Sequence, residues 1–334
     1  MTPQPTQTRT DRDRPGADVP AGRTRRYVVA CLAGNGIGPE LMAEASRALA
    51  QVSRLHGFVV EEVHPPFGGE AVTRSGHPLP ATTRHATAGA DAVLVAGASE
   101  PALEGIKAEL DLAASVLRVV VEGGADVTLF APLDDAAVDW TVERAFASAR
   151  ARNGRLVSVG VGGAWDRRVE AAAARHDGVD LVRLPLAHAL HALTTAPAAL
   201  DVVVTEGVLA DALAEVPSLG SRAVRLSASG FLSPSGPGLF GPAHGSAPDI
   251  AGQGVANPSE MLLAASLLLG EGLGRRAAAE TLEASLAAAL RRPLRTPDMA
   301  GTAVGATTRE FVDVVLGLLQ AARRDTEFAL GGAA

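Results

Sequence analysis

The segment His244-Gly-Ser-Ala-Pro-Asp-Ile-Ala-Gly-Gln-Gly-Val-Ala-Asn-Pro258 gathers an imidazole, a run of small residues, a carboxylate and a terminal amide into fifteen consecutive positions. Small side chains at Gly245, Ser246 and Ala247 let backbone N–H groups approach a phosphate or ribose closely. His244 offers a flat ring on which a base can stack. Asp249 is an acceptor suited to a ribose diol, and Asn257 carries an amide that can pair with the edge of an adenine. A carboxylate at Asp249 would repel a 2′-phosphate, so the pattern favours NAD over NADP.

Working outward, Tyr27–Leu32 reads as a buried strand. It is followed by the turn Gly34-Asn-Gly-Ile-Gly-Pro-Glu40 and an amphipathic helix from Leu41. The turn has G-x-G-x-G spacing and does not meet the dinucleotide fingerprint G-x-G-x-x-G. Further strands are expected at 92–96, 126–130, 155–161 and 201–205, with a loop over 97–105. Helices are expected at 141–152, 167–175, 186–195, 208–216, 258–273, 275–290 and 307–323. Alternating strands and helices define an α/β architecture.

Composition agrees with this reading. The chain has 334 residues, 47% apolar, of which only 3% of the chain is aromatic, enough for a large Ala/Val/Leu-rich core in two lobes. A net charge of −7 disfavours a nucleic-acid partner or an anionic membrane. The absence of an apolar run of about 18 residues disfavours a membrane span. Residues 1–26 lack the apolar core of a secretory signal and read as a disordered tail. A single cysteine, Cys31, excludes an intramolecular disulfide and suits a cytoplasmic location, with inert core as its expected role.

The 244–258 segment closely resembles the nucleotide loop of the isocitrate/isopropylmalate dehydrogenase family, the NAD(P)-dependent β-decarboxylating dehydrogenases. The turn at 34–40 resembles that family's Gly-Asp-Gly-Ile-Gly-Pro-Glu. In the family an Asp-Ile pair at the positions of Asp249 and Ile250 goes with NAD, and a Lys-Tyr pair with NADP. The resemblance spans roughly 27–325. It implies a two-lobed fold with a mixed sheet and a discontinuous first domain, built from 27–112 plus 224–334 and binding the cofactor. Residues 113–223 would form the second lobe, which carries the dimer interface and part of the substrate site. It also implies a dimer in which each cleft borrows residues from the neighbouring subunit.

Against that family pattern the chemistry is incomplete. Oxidative decarboxylation of a hydroxy acid needs a base for the hydroxyl proton, cations for the carboxylates, a divalent metal to polarise the forming ketone, and an acid for the enol. The resemblance puts Val161 where the family has its catalytic lysine, and Gly163 where it has an asparagine. Lys107 is the sole lysine of the chain, so no shift of the alignment restores one. The catalytic tyrosine should fall within 131–140, where the chain has none.

The family's metal-binding aspartates become Asp211 and Glu215, at i and i+4 on one helical face, where they could hold Mg²⁺ or Mn²⁺. The ligand lent by the other subunit falls near Ala187 and is missing. His188 and His191 beside it are expected to be ordinary helix or core histidines. Asp134, Asp135 and Asp139 are expected to be loop acids that cap the next helix. Of three substrate arginines, the first becomes Lys107, which keeps the charge but loses the bidentate fork. The second matches Arg118 after a one-residue shift, and the third is Ala131.

Two functions remain open from the sequence. One is an NAD-dependent oxidoreductase acting on a hydroxy acid with altered chemistry or substrate. The other is a catalytically impaired homologue that binds NAD or pairs, as homodimer or heteromer, with an intact paralogue.

Overall fold

The computed structural model describes residues 24–97, 100–121, 125–215, 225–301 and 305–331. Its strands are β1 (Arg26–Leu32), β2 (Val59–Val63), β3 (Ala92–Val95), β4 (Ala114–Val121), β5 (Ala125–Pro132), β6 (Arg155–Val159), β7 (Asp180–Leu184), β8 (Val202–Thr205), β9 (Arg225–Leu232) and β10 (Gly238–Pro242). The helices are α1 (Gly38–Leu55), α2 (Gly69–Ser75), α3 (Ala81–Gly89), α4 (Glu100–Lys107), α5 (Val138–Ala151), α6 (Ala164–Ala173), α7 (Leu186–Thr195), α8 (Gly207–Glu215), α9 (Ser259–Leu267), α10 (Arg276–Leu290), α11 (Pro297–Ala300) and α12 (Thr308–Gly331). The fold is α/β, as expected.

One mixed sheet of ten strands runs through the molecule in the order β2-β1-β3-β10-β9-β4-β5-β8-β6-β7. Its two ends are parallel, with β1 beside β2 and β3, and β8 beside β5 and β6. The centre is antiparallel, where β4 pairs with both β5 and β9 and β9 turns back onto β10. The parallel strands β1, β3 and β8 are nearly continuous apolar runs, which follows from helices covering both faces.

Side-chain alternation divides the core. Val29 and Cys31 of β1 join the larger core with α1, α5, α6, α9, α10 and α12. Ala30 and Leu32 point to the opposite face and pack with Ala102 and Ile106 of α4. A third core under α7 and α8 gathers Val157, Val159, Val203 and Leu213.

The structure corrects several local expectations. The segment expected as a loop over 97–105 contains α4, because Ala102 and Ile106, at i and i+4, are both buried against the sheet. The strand expected through Val161 ends at Val159. A Cβ at Gly160 would lie 2.2 Å from the Trp165 ring, and Gly162 and Gly163, at φ +88° and +64°, turn the chain into α6.

The helix expected over 258–273 is α-helical only to Leu267 and continues as a π turn over Leu268–Gly272. A Cβ at Gly272 would sit 2.7 Å from Phe240, so the glycine admits that ring. Strands β4, β9 and β10 were not expected at all: Arg118 interrupts the first, Ser and Gly dilute the second, and the third is Gly-Leu-Phe-Gly-Pro. Among the described residues no helix is long and apolar enough to cross a membrane.

Candidate functional site

The 244–258 segment follows β10 and leads into α9, and it forms one wall of a cleft of about 590 Å³. His244, Gly245, Ala247, Ile250 and Asn257 line this cleft, together with Ile37, Glu260 and Asp298. Its size falls within the range of ordinary small-molecule pockets.

The loop is held from two sides. The Gly34–Glu40 turn meets it directly, with the Ile37 N–H donating to the Ser246 carbonyl at 2.9 Å. A Cβ at Gly36 would lie 1.8 Å from that same oxygen, and Gly36 has φ +59°. Farther along, the Gly254 N–H donates to Glu40 Oε2 at 3.2 Å, and the Gly254 carbonyl accepts from the Thr308 N–H at 2.8 Å. The Thr308 hydroxyl donates to the Ala256 carbonyl at 2.6 Å. The glycine turn is therefore a brace for the 244–258 loop. Ala247 takes φ +35°, an uncommon conformation for a residue with a Cβ, and one that marks functional loops more often than ordinary ones.

Replacing Gly36 with alanine is expected to push the Ser246 carbonyl away and splay the cleft. The positive φ alone costs roughly 1–2 kcal/mol for an L-residue, and the backbone contact adds to it. Calorimetric titration with NAD should then show affinity at least about tenfold weaker than wild type, that is about 1.4 kcal/mol.

Several polar groups converge on the cleft. His244 Nδ1 lies 2.9 Å from the Gly245 carbonyl, which can only accept, so Nδ1 donates and a neutral ring presents its lone pair at Nε2. That Nε2 is buried and has no hydrogen-bond partner in the protein. A buried acceptor left open at a cleft is a place for a ligand donor such as a ribose hydroxyl or an exocyclic amine. Gly245 has open space where a Cβ would point. Asp249 is exposed, and Ile250 packs partly against the core.

Asn257 does more structural work than the sequence implies. Its Oδ1 accepts from the Ser259 N–H at 3.0 Å and its Nδ2 donates to Asp298 Oδ2 at 2.9 Å, leaving one amide hydrogen for a base. Asp298 and Glu260 are the cleft residues that sequence reading missed. Only Thr296-Pro297-Asp298, a helix-start pattern, was available to signal the first.

Elsewhere the expected site residues do not converge on this cleft. Arg118 is corrected from substrate group to structural group. Its Nε and Nη2 donate to Asp126 at 2.9 and 2.7 Å, and its Nη1 and Nη2 donate to Glu283 on α10. With both edges of the guanidinium taken by carboxylates, no fork remains for a substrate. Lys107 Nζ lies 2.8 Å from Glu104 and 4.2 Å from the centre of the Phe231 ring, so its charge is also engaged.

Asp211 is exposed on α8, and the Glu215 side chain lies outside the described residues. Among the described residues no trio of potential metal ligands includes Asp211.

The structure places the residues that the resemblance set at the acid–base positions as follows. Val161 is 76% exposed, and its N–H donates to Glu206 Oε1 at 2.7 Å. Ala131 is buried within β5. Asp134 accepts the Ala137 N–H at 2.9 Å in the turn before α5, but the N-cap of that helix is Ala137 and no side chain caps it, so the expected capping role is not seen. Asp135 and Asp139 instead hold Arg168, at 2.9 and 2.7 Å. His188 and His191 are exposed on α7.

Comparison with known proteins agrees with this fold. The model of the isocitrate/isopropylmalate dehydrogenase family matches residues 28–121 and 119–315. A 3-isopropylmalate dehydrogenase of Synechococcus sp. (strain CC9605) is 33% identical over 335 residues, covering 82% of this chain and 94% of that protein. The chloroplastic 3-isopropylmalate dehydrogenase of Brassica napus is 32% identical, covering 83% of this chain and 84% of its own length. Among solved structures, the apo β-decarboxylating dehydrogenase of Thermococcus kodakarensis superposes with a TM-score of 0.74 at 24% identity, over 88% of this chain and 96% of that one. The isocitrate dehydrogenase of Methylococcus capsulatus does so with 0.70 at 19% identity, over 88% and 99%. This chain belongs to the isocitrate/isopropylmalate dehydrogenase family.

Proposed function

We propose that the chain binds NAD through the 244–258 loop and oxidises a hydroxy acid by a route that does not use the lysine–tyrosine proton relay. The observation that carries this reading is the braced cleft with a buried, unpartnered His244 Nε2 at its wall. In the bound state His244 Nε2 accepts a hydrogen bond from the nucleotide, and Ile250 and Ile37 flank the base. Asn257 and Asp298 present one amide hydrogen and a carboxylate to its edge. Asp249, exposed on the same loop though not among the residues lining the cleft, accepts from the ribose diol. NAD supplies the hydride acceptor when bound.

Calorimetric titration of the purified chain with NAD and NADP tests the cofactor. NAD is expected to bind at least about tenfold more tightly, a gap of about 1.4 kcal/mol, and Asp249→Lys is expected to reverse the preference by replacing a carboxylate with a cation for the 2′-phosphate. Equal affinity for both nucleotides, or none for either, contradicts the reading. NADH formation across a panel of hydroxy acids then reports the substrate.

One observation favours the second reading, a homologue that works only beside an intact paralogue. Leu133, Val161 and Val208 are 46%, 76% and 80% exposed. They follow the ends of the neighbouring strands β5, β6 and β8, and a Cβ at Gly207 would lie 2.6 Å from the Pro132 carbonyl. Grouped exposed aliphatics are a surface suited to another subunit. Such a partner would return the lysine and the metal ligand that the family lends across its dimer, though not the tyrosine. Sedimentation of the chain alone and with its paralogue separates a homodimer from a heteromer.

A further inference from the structure

We propose that Cys31, Glu62 and His64 form a binding site for a zinc-class divalent cation at the β1–β2 edge of the sheet, under α1. Cys31 Sγ, a Glu62 carboxylate oxygen and a His64 ring nitrogen all lie within 4.8 Å of one another, the only such trio among the described residues.

The topology brings them together. β1 and β2 run parallel, with Val29 opposite Glu62 and Ala30 opposite Val63. Side chains alternate along each strand, so Val29, Cys31, Glu62 and His64 fall on the same face. That is the face covered by α1, whose Ser46 hydroxyl donates to Glu62 Oε2 at 2.6 Å and orients the carboxylate.

The donor set and its spacing suit one kind of ion. Thiolate, imidazole and carboxylate at about 2.0–2.3 Å from a tetrahedral centre stand roughly 3.3–3.7 Å apart. His64 Nε2 and Glu62 Oε2 are 3.1 Å apart, so small side-chain movements admit an ion between them. A sulfur–nitrogen–oxygen set selects zinc, cobalt or copper over magnesium, which prefers oxygen alone. Cys31 closes the inner side of the site, at 1% exposure, while His64 is exposed and leaves water a path to a fourth position.

Binding breaks the Cys31 S–H bond and forms a sulfur–metal bond, with the proton released to solvent. His64 binds the ion through the Nε2 lone pair, with its proton on Nδ1.

The test uses the full chain, stripped with a chelator and titrated first with Co²⁺ and then with Zn²⁺. One Co²⁺ per chain is expected, with a thiolate-to-cobalt charge-transfer band in the near ultraviolet and displacement by one equivalent of Zn²⁺. Cys31→Ala should abolish the band. His64→Gln, at an exposed position that leaves the fold intact, should weaken Zn²⁺ binding by roughly 10–100-fold. A cobalt spectrum without the thiolate band, or Zn²⁺ affinity unchanged in His64→Gln, overturns the proposal.

Discussion

Purified alone, the protein is expected to produce NADH from 3-isopropylmalate or isocitrate more slowly than a family member that has the lysine and tyrosine, by at least about 10²–10⁴-fold. The reason is the chemical nature of two positions. A base must accept the hydroxyl proton as hydride leaves, and an acid must protonate the enol after decarboxylation. Val161 has no proton to exchange, and its backbone is already tied to Glu206. The tyrosine's place, within 131–140, holds Trp140 and acids turned toward Arg168 or the start of α5. General acid–base groups contribute about 10²–10⁴-fold each, so loss of both compounds the deficit unless another group substitutes. The measurement is a side-by-side steady-state assay with a purified 3-isopropylmalate dehydrogenase. Comparable kcat values would show that a proton relay survives elsewhere in the cleft.

The second large effect is on stability. Arg118→Ala is expected to cost about 3–5 kcal/mol, because removing one partner of a buried ion pair leaves uncompensated charge behind. Here two carboxylates are left, Asp126 and Glu283, around a side chain only 9% exposed. Arg152 offers Asp126 partial cover at 3.3 Å, but it is committed mainly to Asp201 at 2.6 Å. Arg118→Lys should fall between the two, keeping charge but not the double fork.

The pH response follows from the same network. Burial alone would raise the Asp126 pKa, but Arg118 and Arg152 outweigh it and hold the carboxyl below its usual value. A depressed carboxyl pKa gives stability that is present above the unfolded-state value and lost as pH falls through the folded one. Urea unfolding at neutral pH and near pH 3 should therefore show the wild-type advantage over Arg118→Ala shrinking in acid. A loss under about 1 kcal/mol at neutral pH would show that Arg118 is not the structural pivot described.

What the sequence made legible was local chemistry. The 244–258 segment could be read as a candidate cleft wall because its polar groups sit within one loop, where residue type and spacing carry the meaning. The strands β1, β3 and β8 were legible because burial on both faces demands unbroken apolar runs. The antiparallel centre was not. β9 is Arg-Leu-Ser-Ala-Ser-Gly-Phe-Leu, and its small residues are there to accommodate neighbours, since a Cβ at Gly230 would meet Phe240 and Val116 within 3.0 Å.

Arg118 was misread because its partner Glu283 lies 165 residues away, and a lone arginine in sequence looks the same whether it holds substrate or protein. Asp298 was invisible for a similar reason, meeting Asn257 across 41 residues. Cys31 was read as inert core, and only strand pairing brings it beside Glu62 and His64.

The loop after β10 is proposed to cradle the adenosine end of a dinucleotide. A crystal structure of the chain grown with saturating NAD tests it most directly. The prediction is adenosine density in the cleft between Ile37 and Ile250, with a hydrogen bond to His244 Nε2 and the ribose hydroxyls at Asp249. NAD bound elsewhere, or a cleft that stays empty under saturating nucleotide, would contradict it.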